Sequence, residues 1–330
     1  MKKIGIIMAM MLLAVGLLAG CGGAEEENAN LPKQDVNIVV LKGSTGIGAV
    51  SLMDKNDKAE ASANYNFTVA DAPDKVVAMV ANGEVDIAAV PTNLAATLYN
   101  KTNGNVQMAA INTLGVLYIL ENGDTINSIA DLKGKTLYAT GQGANPEFII
   151  NYILQQNGLE PGTDVQIEYK AQHDELATLL ATDQVAIAML PEPNVTAAMA
   201  QNDKLRIALN ITNEWNKVAG SDSQLAMGCV IVNKTFAEAH PDLINSFLAE
   251  YEDSINYVIN NVADAGTLCE KYGIIPKAAL AQKSIPNCNL TFIAGDEMKT
   301  AIAGYYTVLF NADPKSIGGK VPDDAFYYAQ

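Results

Sequence analysis

The hydrophobic and polar positions along the chain predict strands that alternate with helices. Residues 37–41 (NIVVL) and 85–90 (VDIAAV) are short apolar runs, which are typical of parallel strands buried on both faces. Residues 65–69 are a further strand candidate, and residues 74–82 (DKVVAMVAN) have apolar positions at helical spacing. This alternation indicates an α/β protein with helices on the faces of a parallel sheet.

The same pattern returns 100 residues later. Segment 81–91 (ANGEVDIAAVP) matches segment 181–191 (ATDQVAIAMLP), with Ala, Val, Ile, Ala and Pro at the same five places. The preceding helix and strand repeat at the same offset. Similarity at a fixed offset is the signature of a repeated structural unit, which here is β-loop-α-β-α-β. We therefore expect two lobes of one design.

Two apolar, β-rich runs bracket the second unit, at residues 108–120 and 225–232. They predict that one lobe is inserted into the other through a two-segment hinge, at about residues 112–116 and 226–230. From residue 241 onward the pattern is mainly helical, and we expect these helices to pack on lobe 1. The predicted parts are a signal peptide (1–20), a flexible tether (21–35), lobe 1 (36–113 plus 228–330) and lobe 2 (114–227).

The N-terminus has the pattern of an export signal. Two lysines begin the chain, residues 4–18 are mostly apolar, and Leu-Ala-Gly precedes Cys21. The apolar run is shorter than the about 20 residues that a membrane span needs. Because the segment resembles the lipobox of bacterial lipoproteins, Cys21 is expected to be diacylated and to anchor the protein to the cell membrane. The alternative is an ordinary secretory signal with an accidental cysteine.

Composition excludes several classes of protein. Removal of the leader with its two lysines leaves 19 basic and 37 acidic residues, a net charge of −18, which argues against nucleic acid as a partner. Cys229, Cys269 and Cys288 are an odd number of remaining cysteines and give no disulfide framework, although a single Cys269–Cys288 bridge stays open. The two histidines fit no zinc-site spacing. We expect a monomer without metal or cofactor.

Small polar residues follow the strands of both units, at the carboxyl ends where open α/β sheets bind ligands. Thr45, Thr92 and Asn145 are expected to be N-caps, with Pro146 at the first helical position. Free N–H groups at helix starts can hold anionic or polar groups. Capping and turn formation alone would also explain each residue. The candidate ligand-binding residues are Ser44, Thr45, Gly46, Thr92, Asn93, Thr113, Thr140, Gly141, Gln142, Asn145, Glu192 and Pro193.

Charged and aromatic candidates are few. Glu192 places a carboxylate on one wall of the expected ligand cleft. There it can accept a hydrogen bond from an amine or N–H edge of a ligand, or it can be merely solvated. Arg206 is the only arginine, so a bidentate clamp on a ligand carboxylate is absent unless Arg206 supplies it. Lys42 is a further candidate for pairing with an anionic ligand. Trp215, the lone tryptophan, is expected to pack in the fold rather than stack on a ligand.

No motif indicates an enzyme. Gly141-x-Gly143-x-x-Pro146 has proline where a dinucleotide-binding fingerprint needs glycine, and residues 43–46 (GSTG) lack the Gly-Lys-Ser/Thr of a phosphate loop. Two histidines do not support a Ser-His-Asp triad. We therefore expect neither a nucleotide cofactor nor catalysis.

The lipobox, the doubled unit, residues 128–135 (SIADLKGK) and residues 82–88 (NGEVDIA) together resemble ABC-transporter substrate-binding proteins, in the group that binds nitrate, sulfonates, taurine and thiamine precursors. The resemblance covers nearly all of the chain after the tether. It implies a type II periplasmic-binding-protein fold, with two βαβ lobes that close on a ligand. It also implies that Ser44 and Thr45, Thr92 and Asn93, residues 140–145 and residues 190–193 line the cleft.

The expected function is delivery of a small anion or zwitterion, such as a sulfonate, to the permease subunits of an ABC importer. A heteroaromatic vitamin precursor is the second ligand class, with Glu192 accepting a hydrogen bond from a ring N–H. A lipoprotein sensor or adhesin on the same fold stays open. The resemblance also allows a biosynthetic enzyme on this fold, but the export signal argues against it.

Overall fold

The computed structural model describes residues 33–220 and 223–329. The predicted signal peptide, Cys21 and most of the predicted tether lie outside the described residues. From Gln34 onward the chain folds as one unit, which contains two separate β-sheets and the helices that cover them.

The strands of the described residues agree with the apolar runs of the sequence, with small differences at their ends. Their bounds are β1 Asp35–Leu41, β2 Asn64–Ala70, β3 Ile87–Pro91, β4 Val106–Leu114, β5 Leu117–Asn122, β6 Thr136–Thr140, β7 Gln166–Lys170, β8 Ile187–Pro191, β9 Leu205–Asn210, β10 Ala226–Asn233 and β11 Leu290–Ala294.

The helices lie between the strands and, after β10, mostly follow one another. Their bounds are α1 Ser44–Ile47, α2 Val50–Asp57, α3 Pro73–Ala81, α4 Thr92–Lys101, α5 Asn145–Gln156, α6 His173–Ala181, α7 Asn194–Gln201, α8 Ile211–Val218, α9 Lys234–Ala239, α10 Pro241–Asn260, α11 Val262–Lys271, α12 Ala278–Ser284 and α13 Gly295–Ala312. Short 3₁₀ turns occupy Ile129–Leu132, Ile285–Asn287, Pro314–Ile317 and Asp324–Phe326.

The two sheets are built in the same way. The six-stranded sheet has the order β11-β4-β10-β3-β1-β2, and the five-stranded sheet has the order β7-β6-β8-β5-β9. In each, the first strand of the unit lies between two parallel partners, and an antiparallel strand follows: β10 beside β3, and β5 beside β8. Helices α3 and α6 begin 100 residues apart, as do strands β3 and β8. The repeat seen in the sequence is therefore a repeat of structure.

Strand β1 shows why its sequence is continuously apolar. Val36, Ile38 and Val40 pack on one side, in a cluster that includes helix α10. Val39 and Leu41 pack in another cluster, which continues to α4 and α13. All five residues are buried because helices cover both faces of the sheet. The C-terminal helices contribute to both clusters, as the helical pattern after residue 241 predicted.

The chain passes between the sheets twice. It leaves the first sheet after β4 and enters the second at β5, so residues 115–116 form the first crossing, whereas residues 112–114 of the expected segment 112–116 still belong to β4. It returns after β9 through α8. The return was expected at residues 226–230, but these residues already lie inside β10, which pairs with β3 and β4. The apolar run at residues 225–232 is a sheet strand rather than a hinge. The predicted lobe boundaries themselves stay a prediction.

Trp215 of α8 packs in the protein interior. It is fully buried, its Nε1 donates to the carbonyl of Ser223 at 2.8 Å, and its ring lies 5.3 Å from that of Tyr152 and 5.5 Å from that of Tyr305. Tyr152 belongs to α5 and Tyr305 to α13, so the indole joins helices that cover different sheets. The expectation that Trp215 packs agrees with this environment.

We expect Trp215→Ala to destabilise the protein by about 3–5 kcal/mol, because it removes a large buried ring and leaves a cavity. Urea unfolding followed by circular dichroism measures this change. Tyr257→Ala is the control, since Tyr257 is exposed. A Trp215→Ala protein of unchanged stability would contradict the packing role.

Candidate functional site

Four strand ends carry residues predicted from the sequence, and they meet between the two sheets. Ser44 follows β1 and Thr92 follows β3 in the first sheet, whereas Asn145 and Glu192 follow β6 and β8 in the second. All four residues are buried, with at most 7% of their surface exposed. The carboxyl ends of the two sets of parallel strands therefore face each other, which is the position where open α/β sheets bind ligands.

Asn145 connects the two sheets through its side-chain amide. Its Nδ2 donates to Thr92 Oγ1 at 3.1 Å and to the carbonyl of Met227 at 3.2 Å, and its Oδ1 accepts from the hydroxyl of Tyr305 at 2.8 Å. The Thr92 hydroxyl donates in turn to the carbonyl of Ala226 at 2.7 Å. A residue of α5 is thus held by α4, β10 and α13, which all belong to the side of the first sheet.

Ser44 makes the second connection. Its Oγ donates to the backbone carbonyl of Glu192 at 2.8 Å. A Cβ placed on Gly43 would lie 3.8 Å from Pro193 Cδ, an ordinary van der Waals contact, so the two loops are neighbours. Gly43 has φ of 87°, a left-handed conformation that favours glycine. The glycine therefore lets the loop after β1 turn and meet the loop after β8.

The Glu192 carboxyl group is enclosed by neutral groups. It accepts hydrogen bonds from the Thr196 N–H at 3.1 Å and the Thr196 hydroxyl at 2.9 Å, and the Asn287 side chain also bonds to it. Burial raises the pKa of this carboxyl above its usual value, although Thr196 and Asn287 act in the opposite direction. Glu192 is therefore buried rather than solvated.

The three expected N-caps are wrong. The cap positions belong to Gly43, Pro91 and Ala144, and no side chain caps α1, α4 or α5. Thr92 and Asn145 are the first residues of their helices, and the Asn145 side chain donates to the Thr92 hydroxyl across the two sheets instead. Pro146 is accordingly the second residue of α5 rather than the first.

Thr113 and Thr45 belong to a buried network next to these contacts. Thr113 Oγ1 donates to Asn112 Oδ1 at 3.0 Å, and Asn112 Nδ2 donates to the carbonyl of Thr45 at 3.1 Å and to the Tyr251 hydroxyl at 2.9 Å. Only 1% of Thr113 is exposed. Its hydroxyl is engaged within the first lobe rather than across the cleft.

Two further candidates have partners on their own side. Thr140 Oγ1 lies 2.5 Å from His173 Nδ1, at the ends of β6 and the loop after β7. Asn93 Nδ2 donates to the carbonyl of Ser316 at 3.3 Å, while its buried Oδ1 has no hydrogen-bond partner. Neither side chain bridges the two sheets.

The glycines and the glutamine among the candidates act through the backbone or face solvent. A Cβ on Gly46 would lie 2.2 Å from the carbonyl oxygen of Leu41, so only glycine lets α1 pack on β1. Gly141 has φ of 77° and no room for a Cβ beside Pro146. Gln142 is exposed. For all twelve candidates, a role in ligand binding stays a prediction.

Arg206 lies in the second sheet and is engaged there. It donates to Glu121 Oε1 at 2.9 Å and to the carbonyls of Gly123 and Ile126 at 3.0 and 2.7 Å. Burial acts to raise the pKa of Glu121, but the N–H groups of Thr125 and Ile126, together with Arg206, hold it below its usual value. The single arginine thus stabilises a buried carboxylate and is not free to clamp a ligand. Lys42 is paired with Asp71.

Sequence reasoning missed several residues of this region. Tyr305 and Asn287 come from the helical C-terminal segment, far along the chain, where nothing marks them. Met227 and Ala226 contribute only carbonyl groups. Asn112 alone carried a signal, because it is a polar residue inside an apolar run that predicts a buried strand.

Two α/β sheets of one design, whose buried polar strand ends meet, define a two-lobed solute-binding protein. The family model described as "ABC transporter, phosphonate, periplasmic substrate-binding protein" matches residues 58–254. The chain therefore belongs to this family of extracytoplasmic substrate-binding proteins. A comparison with curated protein sequences returns no match.

Solved structures share the fold. An ABC transporter protein from Parabacteroides distasonis has a TM-score of 0.75 and 24% identity, covering 90% of this chain and 99% of that one. The aliphatic sulphonate-binding protein SsuA from Escherichia coli has a TM-score of 0.70 and 18% identity, and the match covers 87% of this chain and 96% of that one. The nitrate-binding protein NrtA from Synechocystis has a TM-score of 0.59 and 14% identity, and the match covers 88% of this chain and 83% of that one.

These comparisons confirm the expected fold class and the resemblance to ABC-transporter substrate-binding proteins. The family serves transport rather than catalysis, in agreement with the expectation that the chain is not an enzyme. Proteins of this kind bind a small molecule and work with permease subunits. Within residues 33–220 and 223–329, no helix is long and apolar enough to cross a membrane.

We expect Arg206→Met to lower the free energy of unfolding by about 3 kcal/mol, because it leaves the buried Glu121 without its cation. Ligand binding should be unchanged, since Arg206 lies away from the meeting strand ends. Lys320→Met is the control: it breaks the Lys320–Asp323 pair, in which both side chains are exposed, and should cost at most about 1 kcal/mol. Loss of ligand binding without loss of stability would contradict this assignment.

Proposed function

We propose that this protein is the lipid-anchored, solute-capturing component of an ABC importer. It acts as a monomer, holds a small organic anion or zwitterion between its two lobes, and delivers it to the permease. The observation that supports this most directly is the pair of contacts, Ser44 with Glu192 and Thr92 with Asn145, that join the carboxyl ends of the two sheets.

These contacts suit a cleft that opens and closes. Each is a hydrogen bond between neutral groups, which contributes only about 0.5–1.5 kcal/mol net because water replaces the lost partner. Breaking these two contacts therefore costs little, and it exposes hydroxyl, amide and backbone groups that a ligand can engage. Hinge motion about residues 115–116 and the segment after β9 would move the lobes.

A small anion or zwitterion, such as a sulfonate, fits the helix starts at this cleft. No side chain caps α4, so the N–H groups of its first turn remain as donors. The names of similar structures point the same way, since they describe sulfonate-binding and nitrate-binding proteins. The second candidate is a heteroaromatic ligand with an N–H edge, favoured by the buried carboxyl group of Glu192.

Asn145→Leu should abolish ligand binding, because it removes the amide that connects the lobes and fills its place with apolar atoms. Thermal shift with alkanesulfonates, alkylphosphonates and aminopyrimidines measures this. A ligand at 100 times its Kd should stabilise the unaltered protein by about 2.7 kcal/mol. Asn157→Leu is the matched control, at the exposed opposite end of α5. An Asn145→Leu protein that keeps the full shift would remove Asn145 from the site.

The proposed anchor is the diacylated Cys21. We expect Cys21→Ser to release the protein from the membrane fraction and to abolish labelling by radioactive palmitate, while the ligand-induced thermal shift stays the same. Cys269→Ser is the control and should keep the label, because Cys269 is buried in the folded unit. Membrane association that survives Cys21→Ser would refute lipid anchoring at this residue.

A further inference from the structure

Glu192 is a buried carboxyl group whose partners are all neutral. It is 3% exposed at the end of β8, and its donors are Thr196 and Asn287. None of the ion pairs in residues 33–220 and 223–329 includes it. Burying an ionised carboxylate without a cation costs free energy that neutral hydrogen bonds offset only in part.

The other groups around Glu192 come from both lobes, and none is basic. Ser44 of α1 donates to its carbonyl. Tyr118 of β5 and Cys288, just before β11, are close enough to sense its charge: burial is the main cause of the raised pKa of each, and Glu192 adds to both. An anionic ligand group placed here would meet the same repulsion.

The two basic residues that the sequence offered for a ligand are already engaged elsewhere. Arg206 pairs with Glu121 and Asp124 in the second sheet, and Lys42 pairs with Asp71 at the surface. Neither compensates the Glu192 carboxylate. The missing positive or polarised donor can therefore come from the ligand itself.

We propose that Glu192 favours, among these ligand classes, a ligand that carries an ammonium group or a polarised N–H edge over a purely anionic one. This inference rests on the proposed function, because it requires the ligand to lie between the lobes. For a zwitterion, the ammonium group bonds to Glu192 and the anionic group lies toward Thr92 and Asn145. For an aminopyrimidine, the exocyclic amine and ring edge take the place of the ammonium group.

Matched ligand pairs test this. Taurine is compared with ethanesulfonate, 2-aminoethylphosphonate with ethylphosphonate, and 4-aminopyrimidine with pyrimidine, each by isothermal titration calorimetry at neutral pH. In at least one pair, the amine-bearing member should bind about 30-fold more tightly, the effect of one hydrogen bond to a charged group. The pair that shows the preference distinguishes a zwitterion from a heteroaromatic ligand.

Two variants separate recognition from a structural role. Glu192→Gln removes the charge at nearly constant shape and should reduce the preference to within about threefold. Thr196→Val removes a donor to the same carboxyl group but keeps its charge, and should keep the preference. If Glu192 only stabilised the first turn of α7 through Thr196, both variants would instead lose stability and the preference for the amine-bearing ligand would be unchanged.

Three results would overturn the proposal. Equal binding of both members of every pair overturns it but leaves the proposed function in place, provided that Asn145→Leu abolishes that binding. Weaker binding of ethanesulfonate by Glu192→Gln, with no amine preference in the unaltered protein, means that Glu192 acts as a protonated donor to an anion. Absence of binding for all six probes rejects both this proposal and the proposed ligand classes.

Discussion

The hydrogen bonds of Asn145 are the constraint on which the arrangement of the two sheets depends. A single buried amide is shared among Thr92, Met227 and Tyr305, so α5 can keep this position only while α4, β10 and α13 keep theirs. Because buried polar atoms are costly when unpaired, all three partners must be satisfied together or exposed to water together. This favours two discrete states of the cleft over a gradual series of partly open ones.

Much of the fold follows from local pattern. The apolar runs predicted strands because β1, β3 and β8 are covered by helices on both faces, and the 100-residue repeat predicted two units of one design. The wrong hinge assignment at residues 226–230 has a related cause: a buried strand and a buried crossing segment have the same apolar composition, so periodicity does not distinguish them.

The site was less accessible from the sequence. The strand-end residues Ser44, Thr92, Asn145 and Glu192 were found because topology fixes where parallel strands end. The details failed where long-range contacts compete with local ones: Thr92 and Asn145 have good capping side chains, but they bond to each other and to residues far along the chain. Tyr305 and Asn287 could not be found, since nothing local distinguishes a helix residue at a cleft from one in a core.

The position of Trp215 has a practical consequence. It is the only tryptophan in the chain, and its ring lies between Tyr152 of α5 and Tyr305 of α13, which cover different sheets. Separation of these helices would bring water to the indole and shift its emission. The protein thus carries one intrinsic fluorophore at the junction where the proposed hinge motion would occur, and stopped-flow fluorimetry without any attached dye tests for this opening in the unaltered chain.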